Sequence, residues 1–218
     1  MTRTLIRGGL WALPVGGLLT FVPWLSLVFV RDADPVKDPS GFARDATSSM
    51  AMVVADVYII GTLCILFGVL ALGAALADTR GGSWAGAGAI AGVVAMVIVV
   101  GIWMVISIGD AIVGDVVISG HKDAGEVFKW MSGGHWNGRI VPVLVTLAAS
   151  GLVGAVGLGV GLWRSGRYPK WLAVGFAVGF LLESAASPIT MIGALLLVVT
   201  GYLIARGERA PAPQRALA

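Results

Sequence analysis

The chain has 218 residues, 57% of them hydrophobic and 12% charged, with a mean hydropathy of +0.91. That balance excludes a water-soluble domain of this size and predicts an integral membrane protein. The net charge of +3 and pI of 9.4 imply no nucleic-acid partner, because the basic residues flank apolar runs on the side where a membrane retains them.

Read in chain order, the apolar runs predict an all-α bundle of six spans, at about 9–30, 50–77, 85–108, 140–163, 171–186 and 189–205. The first follows Arg3 and Arg7 and holds 23 uncharged residues from Gly8 to Val30. A secretion-signal core has about 7–15 residues, so a retained signal-anchor is expected, with Pro14 and Pro23 tolerated because neighbouring helices satisfy the freed backbone groups. The second span aligns Asp45, Ser49 and Asp56 and carries Cys64, the only cysteine. A lone thiol rules out an internal disulfide and reads as packing.

The third span bears a stripe of Gly88, Gly92, Met96, Val99, Trp103, Ser107, Asp110 and Gly114, spaced by three or four. Its helical pattern can continue to Ile118, some 50 Å from Ala85, so it either projects beyond the bilayer or breaks near Gly109. The connection after it holds both histidines, His121 and His135. Fourteen residues apart and without a nearby Cys, they match no compact metal signature and read as solvated, so no metal or haem cofactor is expected. Val127, Trp130 and Met131 fit one face of an interfacial helix that could serve as a lid, ended by Gly133-Gly134.

The fourth span aligns Arg139, Thr146, Ser150 and Gly154. The fifth places Gly175, Gly179, Glu183 and Ser187 at intervals of four, so Glu183 shares a row with small residues and should face the bundle interior. It lies about 18 Å from Trp171, in the outer half of the membrane, and is the deepest carboxylate. Ser187-Pro188 reads as a turn and the start of the sixth helix. The bundle is expected over 1–208, with 209–218 a disordered cytoplasmic tail.

Charge fixes the expected orientation. With both termini cytoplasmic, the inner segments carry nine basic and two acidic residues, and the outer ones six basic and ten acidic. The Lys/Arg bias supports an even number of spans with both ends inside. Gly88 and Gly92, Gly157 and Gly161, and Gly175 and Gly179 predict close helix faces. The two halves of the chain share no convincing residue match that would mark an inverted repeat.

The candidate site is Glu183 and Asp110, with Asp56 and Arg139 as neighbours, around an outward-facing acidic cavity. A carboxylate so placed can carry a proton or coordinate a cation. Against this stands a purely structural role: Glu183 as half of a buried ion pair, Asp56 and Asp110 as solvated helix-end charges. Phosphate-cradling, nucleophile-elbow, zincin and dinucleotide motifs are absent, which argues against an enzyme. The expected function is a small proton- or cation-linked transporter or permease in a bacterial plasma membrane, acting on a small solute or cation. The alternative is a non-catalytic subunit whose glycine faces meet a membrane-protein partner or a second copy.

The run Arg167-Tyr168-Pro169-Lys170-Trp171-Leu172, with the glycine row after it, resembles small multi-span membrane proteins of bacteria. The resemblance covers the last quarter of the chain. It implies a membrane bundle and carries no activity or site residue with it.

Overall fold

The structure, a computed structural model, describes residues 3–30, 38, 41, 44, 45, 47–119, 137–185 and 189–207; for 26–30, 110, 111, 113–118 and 137–140 the description is of backbone alone. The described residues form seven helices: α1 (Arg3–Leu10), α2 (Ala12–Val30), α3 (Ser49–Leu76), α4 (Gly82–Ile118), α5 (Asn137–Ser165), α6 (Lys170–Glu183) and α7 (Thr190–Gly207). No strand occurs among them. Five stretches are long and apolar enough to cross a bilayer: Thr4–Leu25, Ser49–Leu76, Gly82–Gly109, Val141–Ser165 and Thr190–Gly207.

Helix ends follow local chemistry. Ser48 caps α3 by accepting a hydrogen bond from the Ala51 amide at 3.2 Å, which satisfies one donor that the first turn leaves unpaired. At the other end of the bundle, Thr79 Oγ1 donates to the Leu76 carbonyl at 2.7 Å and Ser165 Oγ to Leu162 at 2.6 Å. The turn into α6 passes through Gly166 at φ +66°, a backbone state that costs an L side chain roughly 1–2 kcal/mol. Arg167 Nη1 then reaches across to donate to the Ala75 carbonyl in the last turn of α3 at 3.2 Å, pairing a cation with the negative end of that helix. Lys170 Nζ stands 5.0 Å over the Trp163 ring.

From α2 to α7 each helix packs on the next, and α7 returns to α2, so six helices close a ring in chain order; α1 lies against α3. Every neighbour in the ring is antiparallel. Leu13 meets Gly68 while Thr20 meets Gly61, so α2 and α3 run in opposite directions. Ala85 meets Gly161 and Gly92 meets Gly154 across α4 and α5; Gly175 meets Thr200 and Gly179 meets Gly193 across α6 and α7. A ring of six alternating helices brings the start of α2 and the end of α7 to the same end of the bundle, where Trp11 and Tyr202 meet edge to face at 5.7 Å.

The glycine rows serve as expected. A Cβ on Gly157 would stand 2.6 Å from the Gly88 Cα, and one on Gly193 would stand 2.5 Å from the Glu183 amide nitrogen, so at both points helix backbones touch. Outside the ring the surface is apolar in all directions, with Leu18, Phe67, Ile90, Val153, Val174 and Ile192 uncovered. That distribution suits a lipid environment and would not suit water.

Two expectations about length are refined. The third span does not break at Gly109; α4 continues to Ile118, 37 residues or about 56 Å. The fifth helix is shorter than the expected 171–186, ending at Glu183 after 14 residues, about 21 Å. The Ser184 N–H still makes the helical bond to the Phe180 carbonyl at 3.0 Å, and the next amide, Ala185, tightens to the Leu182 carbonyl at 3.1 Å as the helix ends. Residues 186–188, with the proposed Ser187-Pro188 start, lie outside the described residues, as do the 121–136 connection with its histidines and interfacial helix, and the 208–218 tail.

Candidate functional site

Glu183 ends α6 and points into the ring. It is 1% exposed, and neither carboxylate oxygen has a hydrogen-bond partner among the described residues. The position is costly for a charge in two ways. Burial removes water, at several kcal/mol for an ionised group by a rough rule, and the C-terminal end of a helix concentrates carbonyl dipoles of the same sign. Such an arrangement persists where the carboxyl meets a proton, a cation or a donor during its working cycle.

The surrounding layer draws on five other helices. Thr20 of α2 lies beside the carboxyl, yet its Oγ1 donates to the Gly17 carbonyl at 3.2 Å instead. Thr62 of α3 likewise spends its hydroxyl proton on the Tyr58 carbonyl at 3.0 Å. The Tyr58 phenol is in electrostatic reach of Glu183 and is crowded by Trp24, Trp103 and Thr62, but none of these meets it in hydrogen-bonding geometry. Tyr58 Oη and Trp24 Nε1 are both buried without a hydrogen-bond partner among the described residues. Ser184 is buried against Gly151 of α5 and donates to the Phe180 carbonyl at 2.8 Å, and Gly193 of α7 touches the Glu183 backbone.

Three rings form one wall of this layer. Trp24 meets Tyr58 at 6.4 Å and Trp103 at 5.6 Å, edge to face in both cases, while Tyr58 and Trp103 lie 4.5 Å apart and tilted by 41°. Edge-to-face and offset pairs suit the ring quadrupoles and fix the rings relative to one another.

Four helices continue past the level of Glu183 while the α6–α7 hairpin turns back at it. Measured along their axes, α2 extends about 15 Å beyond Thr20, α3 about 14 Å beyond Tyr58, α4 about 22 Å beyond Trp103 and α5 about 21 Å beyond Gly151. Among the described residues, the carboxyl therefore lies level with the end of α6 while these four helices continue past it.

Of the four residues expected to gather, Glu183 is buried inside the bundle. Asp56 is exposed on α3 and does not join it. The inward row of that helix is Tyr58, Thr62, Ile65, Val69 and Leu72, and two residues along a helix turn the side chain by about 200°. On α3, Ser49 and Asp56 of the expected row are both exposed, while Asp45 is half-buried and lies before the helix begins. Asp110 and Arg139 lie on the backbone of α4 and α5, with side chains outside the described residues. The α4 stripe is buried from Gly88 through Met96 and Val99, and Trp103 carries it into the aromatic wall. Cys64 is half-buried and free. No group of three metal-binding side chains occurs among the described residues.

Thr20, Trp24, Tyr58 and Thr62 complete the layer and did not stand out in the sequence. A signal was present: Thr20 and Thr62 are each four residues from an aromatic with its own polar atom, Trp24 and Tyr58. Comparison with protein-family models, curated proteins and solved structures finds no match to this chain.

Proposed function

We propose that the chain crosses the membrane six times with both termini cytoplasmic, and acts as a small proton- or cation-linked transporter in which Glu183 takes the coupling proton or cation from the outer side. One observation carries the reading: a fully buried carboxyl without a described partner, placed where all six ring helices converge. A purely structural ion pair would require a cation beside it, and none is found among the described residues. Six spans are supported by the closed antiparallel ring, in which α6 occupies a full place between α5 and α7 despite its 14 helical residues. The orientation is supported by the excess of Lys and Arg in the segments assigned to the inner side.

The test is reconstitution into proteoliposomes with an imposed proton gradient, following internal pH and uptake of sodium and small organic solutes. Glu183→Gln is expected to abolish uptake in a protein that still elutes as a folded species. Uptake unchanged in that variant removes Glu183 from the mechanism.

A second reading, a membrane-protein partner subunit, is favoured by the outer part of α5. Every residue from Val141 to Thr146 is exposed, so this stretch of helix is uncovered on all faces. A defined protein that co-purifies with the chain and is lost on Val141→Arg, with no solute moved in vesicles, would support this reading over transport.

A further inference from the structure

We infer that the buried layer around Glu183 recognises a small protonated amine, whose N–H groups the carboxylate accepts while its alkyl body lies against Trp24, Tyr58 and Trp103. This rests on the cation reading above and narrows it to a ligand class. The layer holds polar groups that do not complete one another: two carboxylate oxygens, the Tyr58 hydroxyl and the Trp24 indole nitrogen are all buried without a described partner. Trp24 and Tyr58 pack edge to face with ring centroids 6.4 Å apart, and none of these four polar atoms makes a hydrogen bond among the described residues.

A hard inorganic cation fits this layer poorly. Divalent ions collect six or more oxygen ligands, whereas one carboxylate and the hydroxyls of Thr20, Tyr58, Thr62 and Ser184 belong to the layer, and no three-residue acidic, His or Cys group accompanies them among the described residues. Both threonine hydroxyls are already tied to backbone carbonyls. A bare proton would answer Glu183 and leave the rings without a role. An organic ammonium uses both parts, because aromatic rings attract a desolvated cation and accommodate its alkyl carbons at the same time. Hydrogen bonds from N–H to carboxylate select an amine over a quaternary ammonium ion, which has no proton to donate.

The experiment is isothermal titration of the purified full-length protein in detergent with n-butylammonium, tetramethylammonium and sodium chlorides. Saturable binding is expected for n-butylammonium, weaker binding for tetramethylammonium and none for sodium. Glu183→Gln should weaken the amine by about 30-fold or more, and Trp103→Leu by about fivefold. Three results overturn the inference: no amine binding to folded wild-type protein, saturable sodium binding instead, or amine affinity unchanged by Glu183→Gln. Should Glu183→Gln fail to fold, Trp103→Leu and Tyr58→Phe carry the decision, and unchanged affinity in both overturns it. Glu183-dependent flux of protons or sodium without amine binding would leave the transport reading standing and remove this one; amine binding in a protein that moves no solute would do the reverse.

Discussion

The two halves of the bundle are built on opposite plans. On the side of the tight turns, 77–81 and 166–169, helices touch through glycine: Gly81 and Ala85 against Gly161, Gly88 against Gly157, Gly92 against Gly154. At the level of Glu183 aromatics and hydroxyls join the small residues, and beyond it α5 loses its cover from Val141 to Thr146. Association in lipid depends on close van der Waals contact, so the glycine half supplies cohesion. The other half carries the unpartnered polar groups, a division expected where rigidity at one end must hold a poorly satisfied site at the other.

The largest expected effect would break the cohesive half. Gly157→Leu drives a side chain into the Gly88 backbone, and should cost about 3 kcal/mol or more, seen as loss of the folded peak in size-exclusion chromatography. A folded variant with wild-type melting would mean that the α4–α5 contact is not the core of the bundle. Next, Glu183→Leu should raise thermal stability by on the order of 2 kcal/mol, because it removes an unpartnered buried carboxyl, while uptake is lost. A fall in melting temperature would instead mark Glu183 as a structural partner and undo the contrast between the halves.

Smaller effects sharpen the comparison. Gly166→Ala places an L side chain at φ +66° and should cost about 1 kcal/mol, measurable as a lower denaturation midpoint. Arg167→Ala removes the hydrogen bond to the Ala75 carbonyl and should cost about 1 kcal/mol, acting on the same end. Val145→Ala on the uncovered part of α5 should change stability by less than about 0.5 kcal/mol. A larger loss in purified protein would show that a partner or second copy covers this stretch.

Legibility in the sequence followed the same division. Glu183 was recoverable because three small residues, Gly175, Gly179 and Ser187, share its row, and in a membrane small residues mark protein-facing surface. Asp56 was misplaced because a row of three polar residues at the start of a span has the same spacing whether it faces protein or water. Only the burial of Tyr58 and Thr62 tells which face of α3 turns inward. The aromatic wall was illegible for a related reason: Trp24, Tyr58 and Trp103 come from three helices, and nothing local to any of them specifies a contact at 4.5 Å.

The sequence by itself determined that this chain is helical, apolar beyond what water tolerates, and punctuated by glycine at intervals of one turn, since hydropathy and helical period are properties of neighbouring residues. It also put a carboxylate among small residues in the apolar run that becomes α6. Tertiary structure alone decided that six helices close into a ring, that α6 stops at Glu183, and that Thr20 lies beside the acid while Trp24, Tyr58 and Trp103 cluster together. Those outcomes depend on which faces of distant helices pack together, and pairing across the ring is set by the summed fit of many weak contacts that no single segment encodes.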